Sequence, residues 1–480
     1  MRLWICWRLN FGEIETGETN NDPMPNLEPI KTIIIVMMEN RSFDHMLGYL
    51  ALPPFARKDV DGQSSDAAWL AQFTNVDQGQ RLQPALSTDP YTLPRGFDPP
   101  HERSNVANQL GSLDNGAYPM TGFVSAIPTK VSGDVGVRRL VMDYFGADQV
   151  PMSHFLATHF TICDRWFCSL PAGTQANRLM AMSGNSMIQV NQTPLPEQDL
   201  VYDWLSAHNV NWRVYHQGVP FFTLMPKWVP EILLSNRFRS FEDFESDLDN
   251  TPPDQMPQVI FVEPTYGDAP HLGRSTDDHA PAGVSDGQEF LMQVYNAVTA
   301  SPAFWRSALL IISYDEHGGF FDHVSPPLIP TDPPQAGRYP AFPSLGVRVP
   351  GCVVSPFVQP AATSHLLLDH TSILKLLGEK FGRGSYSPVV DQRPVKSLSE
   401  LLVFDDPISD PPAAPALNAY LAARAPAPTV TVPAQTTELQ KAFSDAIENM
   451  KRNGAGPDHE KFGQLLQQMS ALPAAGTIPA

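Results

Sequence analysis

The stretch Lys31-Thr-Ile-Ile-Ile-Val-Met-Met-Glu-Asn-Arg-Ser-Phe-Asp-His45 decides the fold. Ile33 to Met38 form an unbroken apolar run rich in β-branched residues, the pattern of a strand buried on both faces of a parallel sheet. With no turn residue between, the run meets a carboxylate, a carboxamide, an arginine and a second acid. Ligands of open α/β sheets bind at the carboxyl ends of such strands, so Glu39 and Asn40 stand where a site is expected. Ser42 to Leu50 then reads as the opening of a helix.

Far downstream the layout recurs. Ala308-Leu-Leu-Ile-Ile-Ser-Tyr314 reads as a strand, and Asp315-Glu-His-Gly-Gly-Phe-Phe-Asp-His323 follows at once. Desolvating an unpaired charge is costly, so several carboxylates and imidazoles at strand ends are expected to be paired or to hold a metal. The plainer reading has Asp315 and Glu316 in salt bridges or capping a helix.

Outward from these two runs, helical and strand patterns alternate. Val141 to His159 reads as a helix packed on the sheet, Phe160 to Cys163 as a short strand, Leu200 to Ala207 as a helix and Asn211 to Tyr215 as a strand. Gln258 to Val262, ending in Glu263, and Val347 to Val354 supply two more strands. The alternation predicts an α/β fold with a doubly wound, mostly parallel sheet, helices on both faces and irregular insertions.

Residues 1 to 28 read as a polar, aperiodic leader, and residues 29 to 404 as one catalytic domain. Within it, residues 53 to 119 form a Pro-, Gly- and Asp-rich insertion whose informative stretch is Gly96-Phe-Asp-Pro-Pro-His-Glu-Arg103. Residues 405 to 480 read as a Pro/Ala-rich strap and a last amphipathic helix, with Leu439, Phe443, Ala446 and Met450 at helical spacing. No internal repeat is present.

A formal charge of −19 over 480 residues argues against nucleic-acid binding and against general attraction to anionic membranes, while local cationic pockets leave room for transient contact with a membrane surface. No stretch approaches the roughly 20 apolar residues of a membrane-spanning helix, and Met1 to Arg8 makes a poor secretory signal. Four cysteines imply no disulfide scaffold. Cys163 and Cys168 read as buried apolar residues rather than as a zinc knuckle with His154 and His159. Oligomeric state is not legible.

Glu39 to His45 and Tyr314 to His323 resemble the two signature stretches of the bacterial and plant non-specific phospholipases C. Cys163-Asp-Arg-Trp-Phe-Cys-Ser-Leu-Pro-Ala-Gly-Thr-Gln-Ala-Asn-Arg178, Asp277-Asp-His-Ala-Pro281, Arg348-Val-Pro-Gly-Cys-Val-Val-Ser-Pro356 and Asp369-His-Thr-Ser-Ile-Leu-Lys375 match further stretches in chain order. Acid phosphatases of the same phosphoesterase family share the signatures, and the resemblance implies the alkaline phosphatase-like fold. It also implies export from the cytoplasm, for which this amino terminus offers no signal.

Phosphoester hydrolysis needs an in-line nucleophile, cations to absorb charge on the non-bridging oxygens and an acid for the leaving oxygen. Thr174 opens a helix after a tight Pro-Gly turn and by itself reads first as an ordinary cap. The resemblance makes it the nucleophile instead, forming a phospho-enzyme that water cleaves. With Glu39, Asn40, Asp315 and Glu316 it would coordinate one divalent cation, and oxygen ligands suit Ca²⁺, Mg²⁺ or Mn²⁺.

His317, His279 and His101 are the candidates for phosphate contact or for protonating the leaving group. Asn177 and Arg178 would hold phosphate oxygens, with pairing of Arg178 to an acid such as Asp164 as the alternative, and His323 either contacts substrate or holds its loop. His45 is expected to pack or to orient Glu39, Asp44 to support a neighbour, and His370 to cap a helix. The leading expectation is a phospholipase C acting on phospholipid diesters, because the family's acid phosphatases more often place serine at the nucleophile. A broad phosphomonoesterase and a non-catalytic binding protein on the same fold are the alternatives.

Overall fold

The apolar run after Lys31 forms β1 (Thr32–Met38), with Ile33, Ile34 and Val36 wholly buried in the middle of a sheet. The computed structural model describes residues 26–89, 93–94, 97–128, 132–329, 343–424, 429–431, 433 and 436–470. After β1 come the short helix α1 (Phe43–Met46), then α2 (Ala67–Gln72) and α3 (Arg103–Leu110) of the insertion. The chain continues through α4 (Pro151–His159), β2 (Thr161–Cys163), α5 (Thr174–Ser183), α6 (Val201–Ala207), β3 (Trp212–His216) and β4 (Phe238–Ser240). It closes the sheet with β5 (Val259–Glu263), α7 (Ser285–Ala300), β6 (Ala308–Tyr314), β7 (Gly351–Val354), β8 (Thr363–Ser364) and α8 (Thr371–Phe381).

The strand order is β8-β2-β7-β6-β1-β5-β3-β4. β7 alone runs against its neighbours β6 and β2; β1 is parallel to both β5 and β6. A parallel return needs a long crossover, usually helical, and among the described residues between β6 and β7 there is no helix, so the chain comes back antiparallel. Side chains alternate across a sheet, and here the alternation sorts the helices. Ile35, Met37 and Phe261 meet α5 and α8, whereas Ile312, Tyr314 and Cys352 meet α4 and α7 on the opposite face. The expected α/β class with both faces covered is the observed one.

Two boundaries differ from the expected ones. The helix expected from Val141 begins only at Pro151, a residue suited to the first helical position because its missing N–H would be unsatisfied there anyway. Before it, Arg139–Met142 make a 3-10 turn and Asp143–Tyr144 a two-residue strand. Likewise the strand expected from Val347 starts at Gly351, just past Pro350, which has no N–H to give a ladder.

The insertion has a small core of its own. Phe73, Phe97, Val106, Leu110 and Phe123 cluster with Phe320 and Phe321 of the second signature stretch. That packing lays the insertion over the carboxyl edge of the sheet. At the other end of the chain, Trp305 Nε1 donates to the Ser409 carbonyl (3.0 Å) and the Tyr295 hydroxyl to the Pro412 carbonyl (2.6 Å), so the strap is tied to the body. α9 (Glu438–Arg452) then buries Leu439, Phe443, Ala446 and Met450.

Most of the leader, through residue 25 and including Cys6, lies outside the described residues, as do Ala425 to Pro428 of the strap. Cys163, Cys168 and Cys352 are buried and free. His154 Nδ1 bonds the Tyr49 hydroxyl (2.8 Å) and His159 Nδ1 the Phe155 carbonyl (2.8 Å), and neither falls with Cys163 and Cys168 in a metal-capable group among the described residues. No helix among the described residues is long and apolar enough to cross a membrane.

Arg348 binds the two signature stretches together from below. Its Nη2 donates to Asp44 Oδ1 (3.0 Å) and its Nε to Asp322 Oδ1 (3.0 Å), all three side chains being fully buried. Its Nη1 donates to the carbonyls of Asp61 (2.8 Å) and Asp164 (2.9 Å). Removing one partner of a buried ion pair leaves charge uncompensated. Arg348→Met is therefore expected to cost about 3–5 kcal/mol of unfolding free energy in urea melts, and a loss under about 1 kcal/mol would show the clamp to be idle.

Candidate active site

β1 and β6 end flush. Met38 lies opposite Tyr314, so the next residues, Glu39 and Asp315, leave the sheet side by side. Asp315 N–H donates to the Met38 carbonyl (3.0 Å), and Asn40 N–H donates back to Asp315 Oδ1 (3.2 Å). The two stretches then press close enough that a Cβ on Gly318, at φ 63°, would fall 2.0 Å from the Asn40 carbonyl oxygen. Only glycine fits that approach.

α5 brings the hydroxyl and the arginine. Gly173 holds the N-cap position, Thr174 is the first helical residue, and the wholly buried Thr174 Oγ1 caps nothing and has no hydrogen-bond partner. The ordinary-cap reading of Thr174 therefore fails. One turn on, and on the same helical face, Arg178 places Nη2 3.0 Å from Glu39 Oε1 and Nε 3.6 Å from Asp315 Oδ2. Nη1 also donates to the Tyr266 hydroxyl (3.1 Å), and the guanidinium lies over the rings of Phe221 (4.6 Å) and Tyr266 (4.9 Å). Asp164, the alternative partner, pairs with His365 instead (2.9 Å).

Two histidines face the acids. His279 Nδ1 stands 3.2 Å from Glu39 Oε2 and 3.4 Å from Asp268 Oδ2, with Nε2 3.4 Å from Asp98 Oδ1. His101 turns Nε2 toward Asn40 Nδ2 (3.4 Å) and Glu316 Oε1 (3.9 Å), while its Nδ1 bonds the Pro99 carbonyl (2.8 Å). Their rings are 5.6 Å apart. His317 is spent on support, Nε2 on Gln109 Oε1 (2.8 Å) and Nδ1 beside Glu316 Oε2 (3.2 Å).

The electrostatics follow from burial. Desolvation raises the Asp315 carboxyl well above its usual range, aided by Glu39, and lifts Asp277 to about 8 and Asp268 to about 6. Burial pulls the His101 imidazole down, but Glu316 and Asp98 outweigh it and leave the group at about 9. His279 is raised well above its ordinary value, Asp268 and Asp98 overcoming its desolvation. Asp98 and Asp277 lie within quoted stretches but carry no role in the sequence analysis, and Asp268 lies outside them. Asp98 lies three residues before His101 and Asp277 two before His279, which was the available signal; Asp268 had none.

Six buried or half-buried acids (Glu39, Asp98, Asp268, Asp277, Asp315, Glu316) thus face three basic side chains (Arg178, His101, His279). Protons or a further cation must make up the difference. Glu39 Oε1 and Oε2, Asn40 Oδ1, Thr174 Oγ1, Asp315 Oδ2 and Glu316 Oε1 are buried oxygens that accept no hydrogen bond, although those of Glu39 are ion-paired with Arg178 and His279. They are hard donors of the kind Ca²⁺, Mg²⁺ and Mn²⁺ take. Glu39, Asp277 and His279 also bring ligand atoms within 4.8 Å of one another, as do Asp98, His101 and His279.

The model of the phosphoesterase family matches residues 30–383, which contain every one of these side chains. The chain belongs to the phosphoesterase family. It is accordingly an enzyme that hydrolyses phosphoric esters. It is 31% identical to non-specific phospholipase C1 of Arabidopsis thaliana over 80% of this chain and 73% of that one. It is 30% identical to phospholipase C B of Mycobacterium tuberculosis over 75% of each chain. Among solved structures, a protein of the alkaline phosphatase superfamily from Vibrio parahaemolyticus aligns with 63% of this chain and 82% of its own, at 10% identity and a TM-score of 0.32.

Other expected site residues of this phosphoesterase lie beside the cluster. Asn177 spends its amide on the loop before Thr174: Oδ1 accepts from Leu170 N–H (2.9 Å) and Nδ2 donates to the Leu170 (3.1 Å) and Ala172 (2.7 Å) carbonyls. No donor is left for a phosphate oxygen. His370 sits at the start of α8, but the capping contact comes from Asp369 Oδ1 to Thr371 N–H (2.7 Å). His370 instead takes the Trp166 Nε1–H on Nδ1 (3.2 Å) and turns Nε2 to the Asp315 carbonyl (2.7 Å), steadying the end of β6. His45 packs against Phe145 and Phe320 and touches Arg41 (3.3 Å) rather than Glu39.

His323 pairs with Asp44 Oδ2 (2.6 Å) and Asp61 Oδ1 (3.0 Å), in the cluster that Arg348 clamps. Burial lowers its pKa, yet Asp44 and Asp61 raise it to about 9; the His323 hydrogen bond draws Asp61 down to about 2. A raised imidazole stabilises fully below its unfolded value near 6.5 and loses that as pH climbs through 9; a lowered carboxyl stabilises above 3.8 and loses that as pH falls through 2. The stability gap between the intact protein and His323→Asn should therefore be widest between about pH 4 and 6.5 and narrow on either side. Urea unfolding across that range checks it, and a gap independent of pH would refute the pairing.

Proposed function

We propose that this phosphoesterase is of the phospholipase C type, cleaving phospholipid diesters between glycerol and the phosphorylated headgroup with Thr174 as nucleophile. The carrying observation is the buried oxygens on Glu39, Asn40, Asp315 and Glu316 that accept no hydrogen bond at the flush ends of β1 and β6, with Thr174 Oγ1 buried and without a hydrogen bond one turn before the Arg178 that pairs with Glu39 and Asp315. The phospholipase C names of the relatives give the substrate class its support. A divalent cation bound by those five residues would shield the phosphoryl oxygens and lower the pKa of the threonine hydroxyl.

The protein's own groups carry the remaining steps. Thr174 Oγ1, its proton released to solvent, forms a bond to phosphorus as the bond to the glycerol oxygen breaks, and the headgroup phosphate stays on the threonine. His279 or His101 gives a proton to the departing glycerol oxygen, releasing diacylglycerol. The same imidazole then takes a proton from the water that cleaves the phosphothreonine, freeing the phosphorylated headgroup and restoring Thr174. Arg178 keeps Glu39 and Asp315 in place by charge and by its fixed plane.

Thr174→Ala should lower kcat at least about 10³-fold with an unchanged urea midpoint, while Thr174→Ser keeps part of the activity. Retained turnover in the alanine variant would remove the nucleophile. Dialysis against EDTA should abolish activity, and add-back of Ca²⁺, Mg²⁺ or Mn²⁺ should restore it; full activity in the metal-free protein would defeat the cation. Side-by-side assays on phosphatidylcholine and p-nitrophenyl phosphate decide the ester class. Release of phosphate from the monoester alone would make the enzyme a phosphomonoesterase.

A further inference from the structure

The match to the phosphoesterase family ends at residue 383, yet α9, more than fifty residues further on, reaches the layer directly behind the active site. Phe443 of α9 is wholly buried and lies 5.9 Å from the Tyr266 ring, nearly parallel to it, and 5.9 Å edge-on from the Phe221 ring. Those are the two rings over which the Arg178 guanidinium sits. Tyr266 is held further by its hydroxyl, which donates to Glu263 Oε2 (3.3 Å), and Phe221 N–H donates to the same oxygen (2.7 Å). One turn before Phe443, Gln440 Oε1 accepts from Thr436 N–H (2.9 Å) and Thr437 N–H (3.3 Å), closing the cap that starts α9.

We propose that α9 is a positioning element of the active site, with Phe443 backing the two rings that fix Arg178. The inference rests on Glu39 and Asp315 being site residues, as proposed above. Arg178 ends a long side chain with much rotamer freedom, and its contacts to Glu39 and Asp315 orient both acids only while its plane is held. Interiors are close-packed, so a ring removed behind Tyr266 and Phe221 leaves space into which both relax, and the guanidinium moves with them. Catalysis is sensitive to such shifts: a misplacement near 1 Å from a distant change costs on the order of 100-fold in rate.

The test compares Phe443→Ala, Phe443→Leu and Phe462→Ala in the full chain. Phe462 is also a buried aromatic of the same C-terminal region, but it stacks on His216 (5.6 Å) rather than on the Tyr266 or Phe221 ring. Steady-state kcat and KM are measured on an ester that the intact chain turns over, with urea midpoints alongside. Phe443→Ala is expected to lower kcat at least about ten-fold with KM nearly constant, and Phe443→Leu to recover most of it. Phe462→Ala should lower the urea midpoint comparably and keep kcat within about two-fold.

A Phe443→Ala enzyme with kcat within about two-fold of the intact chain overturns the proposal, and so does an equal loss in Phe462→Ala, which would mark general loosening. If Phe443→Ala does not fold, Phe443→Val carries the test, a fall in kcat of about three-fold or more supporting the proposal and a smaller change overturning it. Failure here is distinct from failure of the functional reading. The latter shows as an intact chain that turns over no phospholipid, whereas this one shows only as indifference of an active enzyme to α9.

Discussion

Two buried parallel strands that end flush put Glu39 and Asp315 side by side, and the rest of that edge answers the charge they carry there. Neither carboxylate has water to solvate it, since both are fully buried. A pair of desolvated like charges persists only with compensation, by protons, by fixed cationic side chains or by a bound ion. Arg178 supplies one such charge to both acids, and His279 and His101 stand on the flanks. The oxygens left over are of the type and burial that a hard divalent cation satisfies.

Behind this edge the support is layered by distance from the sheet. His370 and Asp277 fix the strand ends through backbone atoms, His370 on the Asp315 carbonyl and the Asp277 carbonyl on the Glu39 N–H. Asn177 shapes the loop into α5, and so sets where the Thr174 hydroxyl begins the helix. The insertion covers the edge and delivers Asp98 and His101, held down by aromatic packing onto Phe320 and Phe321. Arg348, with Asp44, Asp322 and His323, locks the tails of the two signature stretches to each other.

What the sequence made legible was what has a period or an abrupt end. Apolar runs with acids directly after them gave β1 and β6 and the residues at their tips, and the Pro-Gly turn gave the start of α5 at Thr174. Partnerships made by backbone atoms left no trace, which is why Asn177 and His370 were assigned roles that their observed bonds do not support. Asp268 was invisible for a related reason: an acid among glycine, alanine and proline looks like any turn residue. The overlong helix before His159 arose because apolar spacing continued through Val141 to Val150, while Pro151 set the true start. The pairing of Arg178 with Glu39 and Asp315 rather than with Asp164 depends on which strands become neighbours.

The acids that meet at the sheet edge are made far apart in time. Asn40 and Asp315 are separated by 275 positions, and β1 sits between β5 and β6, both synthesised long after it. A chain emerging from the ribosome therefore exposes the first signature stretch for most of its synthesis with no neighbour to complete it. Non-local pairing of this kind is slow to form and cannot begin early. The consequence is that the sheet edge carrying Glu39 gains its partner Asp315 only after the second stretch has been translated and docked.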